Sequence, residues 1–384
     1  MGFESIGVIG AGVMGSEIAQ VAAAAGCEVV LVDIDDAAVA RGIEHIRSIG
    51  ARRVDRGRMS AEDAEAILSR VRGAIDIAEI GGCDVIVEVA PEILDLKRDL
   101  WRRIDAAAKP GAILASNTSG LSITTLARET ARPAHVLGLH FFNPASVMRL
   151  VEVIRGEDSA DEVVDEGVAV ATRLGKVPVR VVECPGFLVN RILVRALGEA
   201  YRHADELGAD RPTADAAVVA LGPAPMGPFA LGDLIGLDTA LHVQRDLQAA
   251  YGDRFAAGTS LADQVAGNRL GQKSGAGFVT GVAPGAPDDL GPAIAERYYL
   301  GALDEACRCL EEAVAALPDI DVAMQLGAGW SDGPLACADA EGLPAVAARL
   351  EALAADTGER FTPREPLATR AAAGRTFLDA ERAQ

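Results

Sequence analysis

The chain opens with a strand, a glycine-rich turn, a helix and a second strand, and this pattern constrains the fold more than any other feature. Residues 6–9 are apolar, residues 14–25 are alanine-rich as in a helix, and residues 29–32 are apolar again. Short apolar runs joined by a helix are typical of the β-α-β unit that begins a parallel sheet. Mostly helical stretches separate four further apolar runs, at residues 85–89, 113–115, 136–139 and 179–182. The sequence therefore predicts an α/β fold with a Rossmann-type, doubly wound parallel sheet.

The turn after the first strand has the pattern G-x-G-x-x-G, formed by Gly10, Gly12 and Gly15 with Val13 and Met14 before the last glycine. Glycines at these positions permit a tight turn and let the backbone approach a pyrophosphate closely. The positive end of the helix dipole then stabilises the negative charge. The pattern predicts a dinucleotide site, because it lies directly after a strand and at the start of a helix.

Asp33 ends the second strand, about 20 residues beyond the glycines, where a carboxylate can accept hydrogen bonds from both hydroxyls of an adenosine ribose. The same carboxylate repels a 2′-phosphate, and residues 34–36 supply no arginine to bind one. The sequence therefore favours NAD over NADP. The simpler role for Asp33 is that of a helix cap.

Composition narrows the function. The net charge of −20 disfavours binding to nucleic acid or to an anionic membrane, since both need a basic surface. The six cysteines include no C-x-x-C pair and too few histidines lie near them for a zinc site, so we expect reduced thiols and no metal. We expect no signal peptide and no membrane anchor, and we expect a cytoplasmic protein.

The strand pattern disappears after Pro185, which predicts a domain boundary near residues 183–186, and residues 281–292 have the composition of a linker. The segments on either side of this linker repeat each other at an offset of 106 residues, with Arg191, Glu199 and Asp215 recurring as Arg297, Glu305 and Asp321. We therefore predict three domains: a Rossmann domain (1–184), an all-α domain (185–282) and a second, degenerate copy of it (290–384).

Residues 41–73 are predicted to form two helices joined at Gly57, and they carry the densest basic cluster in the chain, which includes Arg52 and Arg53. Two interpretations stay open. The cluster is either a solvated helical face or an arm that holds the phosphates of a large anionic ligand.

His140 follows an apolar strand, and in an open α/β sheet the carboxyl ends of the strands lead to the ligand crevice. A lone histidine is often structural, but Glu152 follows within an apolar run and needs a partner there. Imidazole titrates near neutrality and is suited to take the proton of an alcohol as a hydride leaves. A carboxylate on its other nitrogen would fix the tautomer.

These residues and several motifs together resemble the L-3-hydroxyacyl-CoA dehydrogenase family, including the dehydrogenase portion of the multifunctional α subunits of fatty-acid β-oxidation. The resemblance covers nearly the whole chain. It rests on motifs at residues 10–15, 116–119, 140–144, 185–191, 225–229 and 273–278. The sequence departs from the family pattern at Gly120, at Ala145 and Ser146, and at Val279, none of which is the proposed base or its partner.

The resemblance implies that His140 is the catalytic base, that Glu152 is its partner, and that Ser119 and Asn190 are polar residues around the substrate and the imidazole. A simpler alternative stays open for each of the last two residues. Ser119 could be a helix cap, and Asn190 could be a satisfied amide at the start of a helix.

The resemblance also implies which residues bind the ligands. It places four residues along the cofactor: Glu92, Lys97, Asn117 and Asn143. Of these, Glu92 and Lys97 could also be ordinary residues of a helix surface. Arg52, Arg53 and Lys97 are the candidates for binding CoA.

The predicted function is the reversible NAD-dependent oxidation of a 3-hydroxyacyl-CoA thioester. A dehydrogenase of a free hydroxy acid or sugar acid is the alternative, and a non-catalytic NAD-binding module is a third hypothesis.

The second helical copy has Glu296 where the first has Asn190. We therefore expect it to replace a partner subunit, which makes the chain a pseudo-dimeric monomer rather than a homodimer. Any hydratase or thiolase partner would be a separate chain.

Overall fold

The computed structural model describes residues 3–282 and 289–379. It divides into two compact units, Met1–Glu183 and Cys184–Gln384. The division falls within the boundary predicted near residues 183–186. Both helical segments belong to the second unit, so the predicted separation into two helical domains stays a prediction. Of the predicted linker, residues 283–288 lie outside the described residues.

The first unit contains an eight-stranded sheet in the order β3-β2-β1-β4-β5-β6-β7-β8. Strands β1 to β6 are parallel, β7 runs antiparallel to β6, and β8 is parallel to β7. The strands are β1 (Ser5–Ile9), β2 (Glu28–Val32), β3 (Val71–Ala74), β4 (Val85–Glu88), β5 (Ile113–Ser116), β6 (Val136–Phe141), β7 (Leu150–Arg155) and β8 (Val177–Val182). The predicted α/β class and Rossmann-type sheet are confirmed. The sequence prediction missed β3, which is short and has no apolar run, and β7, which runs antiparallel to β6.

Six α-helices accompany this sheet: α1 (Val13–Ala24), α2 (Asp36–Asp55), α3 (Ala61–Ser69), α4 (Leu94–Ala107), α5 (Ile123–Ala127) and α6 (Asp161–Arg173). The basic segment forms two helices, α2 and α3, with Gly57 between them at a φ of 64°. Asp35 caps α2 by accepting a hydrogen bond from the Ala38 amide, and Ser60 caps α3 through the Asp63 amide. Apolar side chains of α1 and α6 pack with those of the strands in one core.

The second unit is helical. Its α-helices are α7 (Val189–Leu207), α8 (Arg211–Leu221), α9 (Pro228–Ile235), α10 (Leu237–Tyr251), α11 (Ser260–Ala266), α12 (Gly291–Glu311), α13 (Leu317–Gly327), α14 (Pro334–Glu341), α15 (Leu343–Thr357) and α16 (Glu365–Ala372). A shift of 106 residues carries both ends of α8, α9 and α10 onto the ends of α13, α14 and α15. The structural elements therefore repeat with the period seen in the sequence.

Charged side chains of the two copies meet reciprocally where α7 packs on α12. Arg191 of α7 lies 2.7 Å from Glu305 of α12, and Arg297 of α12 lies 2.7 Å from Glu199 of α7. Arg297 and Glu305 are the repeats of Arg191 and Glu199. In each of the two ion pairs, therefore, the arginine of one copy contacts the equivalent glutamate of the other. This exchange is the hallmark of an interface related by a two-fold axis.

None of the helices in the two described ranges is both long and apolar enough to cross a membrane.

Candidate active site

The turn between β1 and α1 leaves room for a ligand at one glycine only. A Cβ atom on Gly10, whose φ is 111°, would lie 2.6 Å from the Val89 carbonyl oxygen, and one on Gly15 would lie 1.8 Å from the Gly10 carbonyl oxygen. A Cβ atom on Gly12 would have no neighbour within 4 Å. Gly10 and Gly15 are thus required for packing, whereas Gly12 leaves an open approach to the backbone.

The first turn of α1 faces this opening. Gly12 is the N-cap and provides no side-chain cap, Val13 is 58% exposed, and Met14 packs against the core. Helix N-termini with unsatisfied amides bind phosphate groups. The residues present therefore fit the pyrophosphate of a dinucleotide.

Asp33 lies directly after β2 beside this turn. One carboxylate oxygen accepts a hydrogen bond from the Ala11 amide at 2.6 Å, and the other accepts one from the Ile34 amide at 2.6 Å. The backbone thereby fixes the carboxylate, and each oxygen retains a second lone pair for a ribose hydroxyl. This arrangement fits NAD.

His140 and Glu152 face each other across the two antiparallel strands. His140 of β6 is paired directly with Glu152 of β7, and its Nδ1 lies 2.6 Å from Glu152 Oε2. Glu152 is fully buried and His140 is 4% exposed. A carboxylate only accepts hydrogen bonds, so the Nδ1 proton is directed to Glu152 and Nε2 is the basic nitrogen. The structure brings together the two residues that the sequence proposed as a pair.

Ser119 completes this arrangement, since its Oγ lies 3.0 Å from Nε2 of His140. The loop that carries Ser119 is held by Glu92, whose Oε1 accepts hydrogen bonds from the amides of Ser119 (3.1 Å) and Gly120 (3.2 Å) and from the Thr118 hydroxyl. Burial acts to raise the pKa of Glu92, but the charge of Lys97 and these hydrogen bonds outweigh it and leave the pKa below its ordinary value.

Lys97 is buried, with 1% of its side chain exposed, and its Nζ lies 2.7 Å from Glu88 and 3.3 Å from Glu92. It is therefore not a helix-surface residue. The structure also argues against Lys97 as a CoA contact, because its ammonium group is enclosed by two carboxylates. Its place in the site is to hold Glu92, which in turn holds the Ser119 loop.

The sequence prediction missed the centre of this cluster, Glu88, which is fully buried at the end of β4. Glu88 accepts hydrogen bonds from the Ser116 hydroxyl at 2.7 Å, the Ala90 amide at 2.7 Å and the Trp101 indole at 3.4 Å. An acid at the end of the apolar run 85–87 was the signal that could have revealed it, because a buried carboxylate needs partners.

The other predicted site residues are distributed over both units. Asn117 accepts a hydrogen bond from the Phe141 amide at 2.8 Å and so links the ends of β5 and β6. Asn143 is exposed in the loop after β6. Asn190 lies in the first turn of α7, in the second unit, and its predicted role near the imidazole stays a prediction.

The predicted basic arm lines a pocket of about 390 Å³, which we call the arm pocket. Arg52 and Arg53 contribute to it, together with Arg56 and Arg58, which follow at the end of α2. Its other side is formed in part by Glu17 and by the loop after β6, where Ser146 donates its amide to Glu17 at 2.9 Å. The arginines thus surround a cavity.

Two family profiles match the chain. That of the 3-hydroxyacyl-CoA dehydrogenase NAD binding domain matches residues 5–184, and that of the 3-hydroxyacyl-CoA dehydrogenase C-terminal domain matches residues 186–281 and 294–380. The chain is 35% identical to the fatty acid oxidation complex subunit alpha of Psychrobacter cryohalolentis, over 96% of this chain and 55% of that subunit. It therefore spans about half the length of this relative.

Shorter relatives are covered almost completely. A probable 3-hydroxybutyryl-CoA dehydrogenase of Deinococcus radiodurans is 40% identical over 71% of this chain and 98% of its own length. The crystal structure of 3-hydroxybutyryl-CoA dehydrogenase from Escherichia coli K12 is 31% identical, with a TM-score of 0.91 over 97% of this chain and 99% of that one. The chain belongs to the 3-hydroxyacyl-CoA dehydrogenase family.

Proposed function

We propose that the protein catalyses the reversible, NAD-dependent oxidation of a (S)-3-hydroxyacyl-CoA thioester to the 3-ketoacyl-CoA. The observation that carries the proposal is the hydrogen-bonded series Ser119, His140 and Glu152, in which a buried carboxylate orients one imidazole nitrogen and leaves the other beside a hydroxyl group. Relatives named for 3-hydroxybutyryl-CoA and 3-hydroxyadipyl-CoA support this substrate class.

His140 acts as the base. Its Nε2 accepts the proton of the substrate 3-hydroxyl. NAD, which the turn at Gly12 and the carboxylate of Asp33 would hold, would supply the acceptor for the hydride of C3. The imidazole becomes cationic, and Glu152, 2.6 Å from Nδ1, stabilises that charge in a site from which water is largely excluded. In the reverse direction the imidazolium returns its proton to the substrate oxygen.

Ser119 positions the substrate oxygen. Its hydroxyl lies 3.0 Å from the nitrogen that must receive the substrate proton. When the substrate hydroxyl takes over the hydrogen bond to Nε2, the Ser119 hydroxyl becomes available to donate to the same substrate oxygen. Asn190 would act on the substrate from α7.

The arm pocket is the proposed site for CoA. Its arginines are unusual in a chain with 56 acidic and 36 basic residues, and CoA carries several phosphate charges. Guanidinium groups bind phosphates through paired hydrogen bonds. This basic cavity favours a CoA thioester over a free hydroxy acid or sugar acid, which needs no such arm.

We infer in addition that the chain is a pseudo-dimeric monomer. Arg254 of the first copy pairs with Glu305 at 3.0 Å, and its repeat Arg360 approaches Glu199 at 3.5 Å. The surface on which one copy would accept a partner is therefore already covered by the other. Light scattering on the eluting protein should give the mass of one chain, and a dimer mass would contradict the inference. The cytoplasmic location stays a prediction.

The test of the activity is an assay of NADH oxidation with acetoacetyl-CoA and longer 3-ketoacyl-CoAs. We expect turnover with NADH, and nearly complete loss in His140→Gln with little change in NADH binding. His203→Gln is the matched control, because His203 lies in the second unit and pairs only with Glu206 among the described residues. Turnover of free 3-keto acids with none of the thioesters would refute the substrate class.

A further inference from the structure

A second cationic cavity adjoins the arm pocket, and none of the predicted functions uses it. It has a volume of about 340 Å³ and shares Arg53, Ser146 and Val147 with the arm pocket. We call it the distal pocket. Three more basic residues line it: Arg149, Arg173 and Lys176. No Asp or Glu is found among the described residues that line it, whereas the arm pocket contains Glu17.

The positive charge of the distal pocket is not neutralised by the fold. Arg53, Arg149 and Arg173 form no ion pair with any residue in the described ranges, although acidic residues far outnumber basic ones in the chain. The Arg173 guanidinium lies over the Phe3 ring, 4.5 Å from its centre, which fixes its plane but leaves its charge uncompensated. An anion is therefore the ligand that this cavity can stabilise.

Lys176 has a different part in the cavity. Its Nζ donates to the carbonyl oxygens of Ala145 and Met148, the latter at 2.7 Å. These bonds hold the loop that separates the two pockets and carries Ser146 and Val147. Burial lowers the pKa of Lys176; the charge of Glu17 opposes this change, and the smaller effect of Arg53 adds to it.

We propose that the distal pocket binds the 3′-phosphate of the CoA nucleotide, with Arg149 and Arg173 as its specificity-determining residues. The inference rests on the proposed function. CoA carries a 5′-diphosphate and, on the ribose, a separate 3′-phosphate, so its nucleotide needs two basic sites next to each other. The arm pocket receives the diphosphate at the end of α2, and the distal pocket receives the monophosphate beyond the loop at Ser146. Arg53 lines both pockets and is therefore left unchanged in the test.

Three thioesters separate the contributions of the two phosphate sites: acetoacetyl-CoA, acetoacetyl-3′-dephospho-CoA and acetoacetyl-pantetheine. For the unmodified enzyme we expect kcat/KM to fall by about 10- to 100-fold when the 3′-phosphate is absent, as expected for the loss of one or two charge-assisted contacts. The Arg149→Ala, Arg173→Ala double variant should fall by the same factor on acetoacetyl-CoA, through KM. On the other two substrates it should match the unmodified enzyme.

The matched control is the Arg155→Ala, Arg180→Ala double variant, which removes two exposed arginines of the first unit that already pair with Asp161 and Asp165. We expect it to retain the preference for the 3′-phosphate. Adenosine 3′,5′-bisphosphate should inhibit the unmodified enzyme more strongly than adenosine 5′-monophosphate, and the Arg149, Arg173 variant should not distinguish them.

Three results would overturn the inference. An unchanged ratio between acetoacetyl-CoA and its dephospho form in the Arg149, Arg173 variant would place the 3′-phosphate elsewhere, with the proposed function intact. An equal loss on all three thioesters would give the arginines a structural role. Inactivity of the unmodified enzyme on every thioester would refute both the inference and the proposed function. It is distinguishable from the first two results, because both of those require an active unmodified enzyme.

Discussion

Replacement of Lys97 by methionine tests how much the buried ion pair beneath the Ser119 loop contributes to the free energy of unfolding. Methionine preserves an unbranched chain of similar volume and removes the charge. The variant leaves Glu88, which is fully buried, without its cation at 2.7 Å. Removal of one partner from a buried ion pair costs about 3 to 5 kcal/mol. The hydrogen bonds from Ser116, Ala90 and Trp101 to Glu88 persist and stabilise its charge. We therefore expect the lower end, about 3 kcal/mol.

The assay is urea unfolding followed by tryptophan fluorescence. The chain has two tryptophans, and the Trp101 indole lies 3.4 Å from Glu88. Because Trp330 belongs to the second unit, a Trp330→Phe background makes the signal specific for the first unit. In that background Lys97→Met should lower the free energy of unfolding by about 3 kcal/mol, and Glu88→Gln combined with Lys97→Met should restore more than half of it, since the double variant contains no unpaired buried charge.

The matched control is Lys109→Met. Lys109 also forms a short pair in the first unit, 2.6 Å from Asp84, but the two side chains are 38% and 31% exposed. A partly exposed pair contributes about 1 kcal/mol or less. Equal effects of the two lysine variants would refute the argument, because burial is what separates them. Failure of Glu88→Gln to rescue Lys97→Met would show that lost packing, rather than an uncompensated charge, caused the change.

Three further predictions concern the site and the helical unit. Glu152→Gln should lower kcat by about 10³-fold with little change in the KM for NADH, because the tautomer of His140 is no longer fixed; steady-state kinetics measure this. Asp33→Ser should shift the ratio of kcat/KM for NAD over NADP towards NADP by about 10-fold or more, as charge repulsion is removed. Burial raises the pKa values of Asp215 and Asp321 to about 6, against hydrogen bonds from backbone amides that lower them. Because these values lie above those of the unfolded chain, their stabilising contribution is complete below about pH 4 and is lost as the pH rises through about 6. Urea unfolding of the unmodified protein and of Asp215→Asn below about pH 4 and above about pH 6 measures this contribution. The free energy of unfolding should fall less between the two conditions in the variant.

The sequence was sufficient for the parts of the fold that depend on local pattern. Spacing alone was enough to predict the turn at Gly10 and Gly12 and the acid at the end of β2, because the backbone geometry of a dinucleotide site demands particular residues there. The repeat of the helical unit followed from residues that recur at a constant offset. Strand β3 was missed because its sequence, Val-Arg-Gly-Ala, has neither an apolar run nor alternation and it lies at the edge of the sheet. Tertiary pairing with β2, rather than local preference, makes it a strand.

The buried partners of the site were harder to predict. Lys97 was assigned to the ligand channel through the family resemblance, whereas the structure encloses its ammonium group between Glu88 and Glu92. Lysines are seldom fully buried unless they are paired, so nothing in the sequence indicated this burial. Which donor meets which buried carboxylate across 28 residues, as the Ser116 hydroxyl meets Glu88, depends on the neighbouring positions of β4 and β5 in the sheet. Such pairings are non-local and have no periodic signature.

The reversal of β7 is the step that turns a nucleotide-binding sheet into a candidate acid–base site. Only eight residues separate Phe141 from Leu150, and a parallel connection needs a crossover of about a dozen or more. The loop length therefore forces β7 to run antiparallel to β6. In an antiparallel pair directly opposite side chains point to the same face, about 5 Å apart at Cβ. The observed register places Glu152 opposite His140. A slip of one residue would turn Glu152 to the other face of the sheet. The short loop thus sets the strand direction, and the register then gives the imidazole its carboxylate partner.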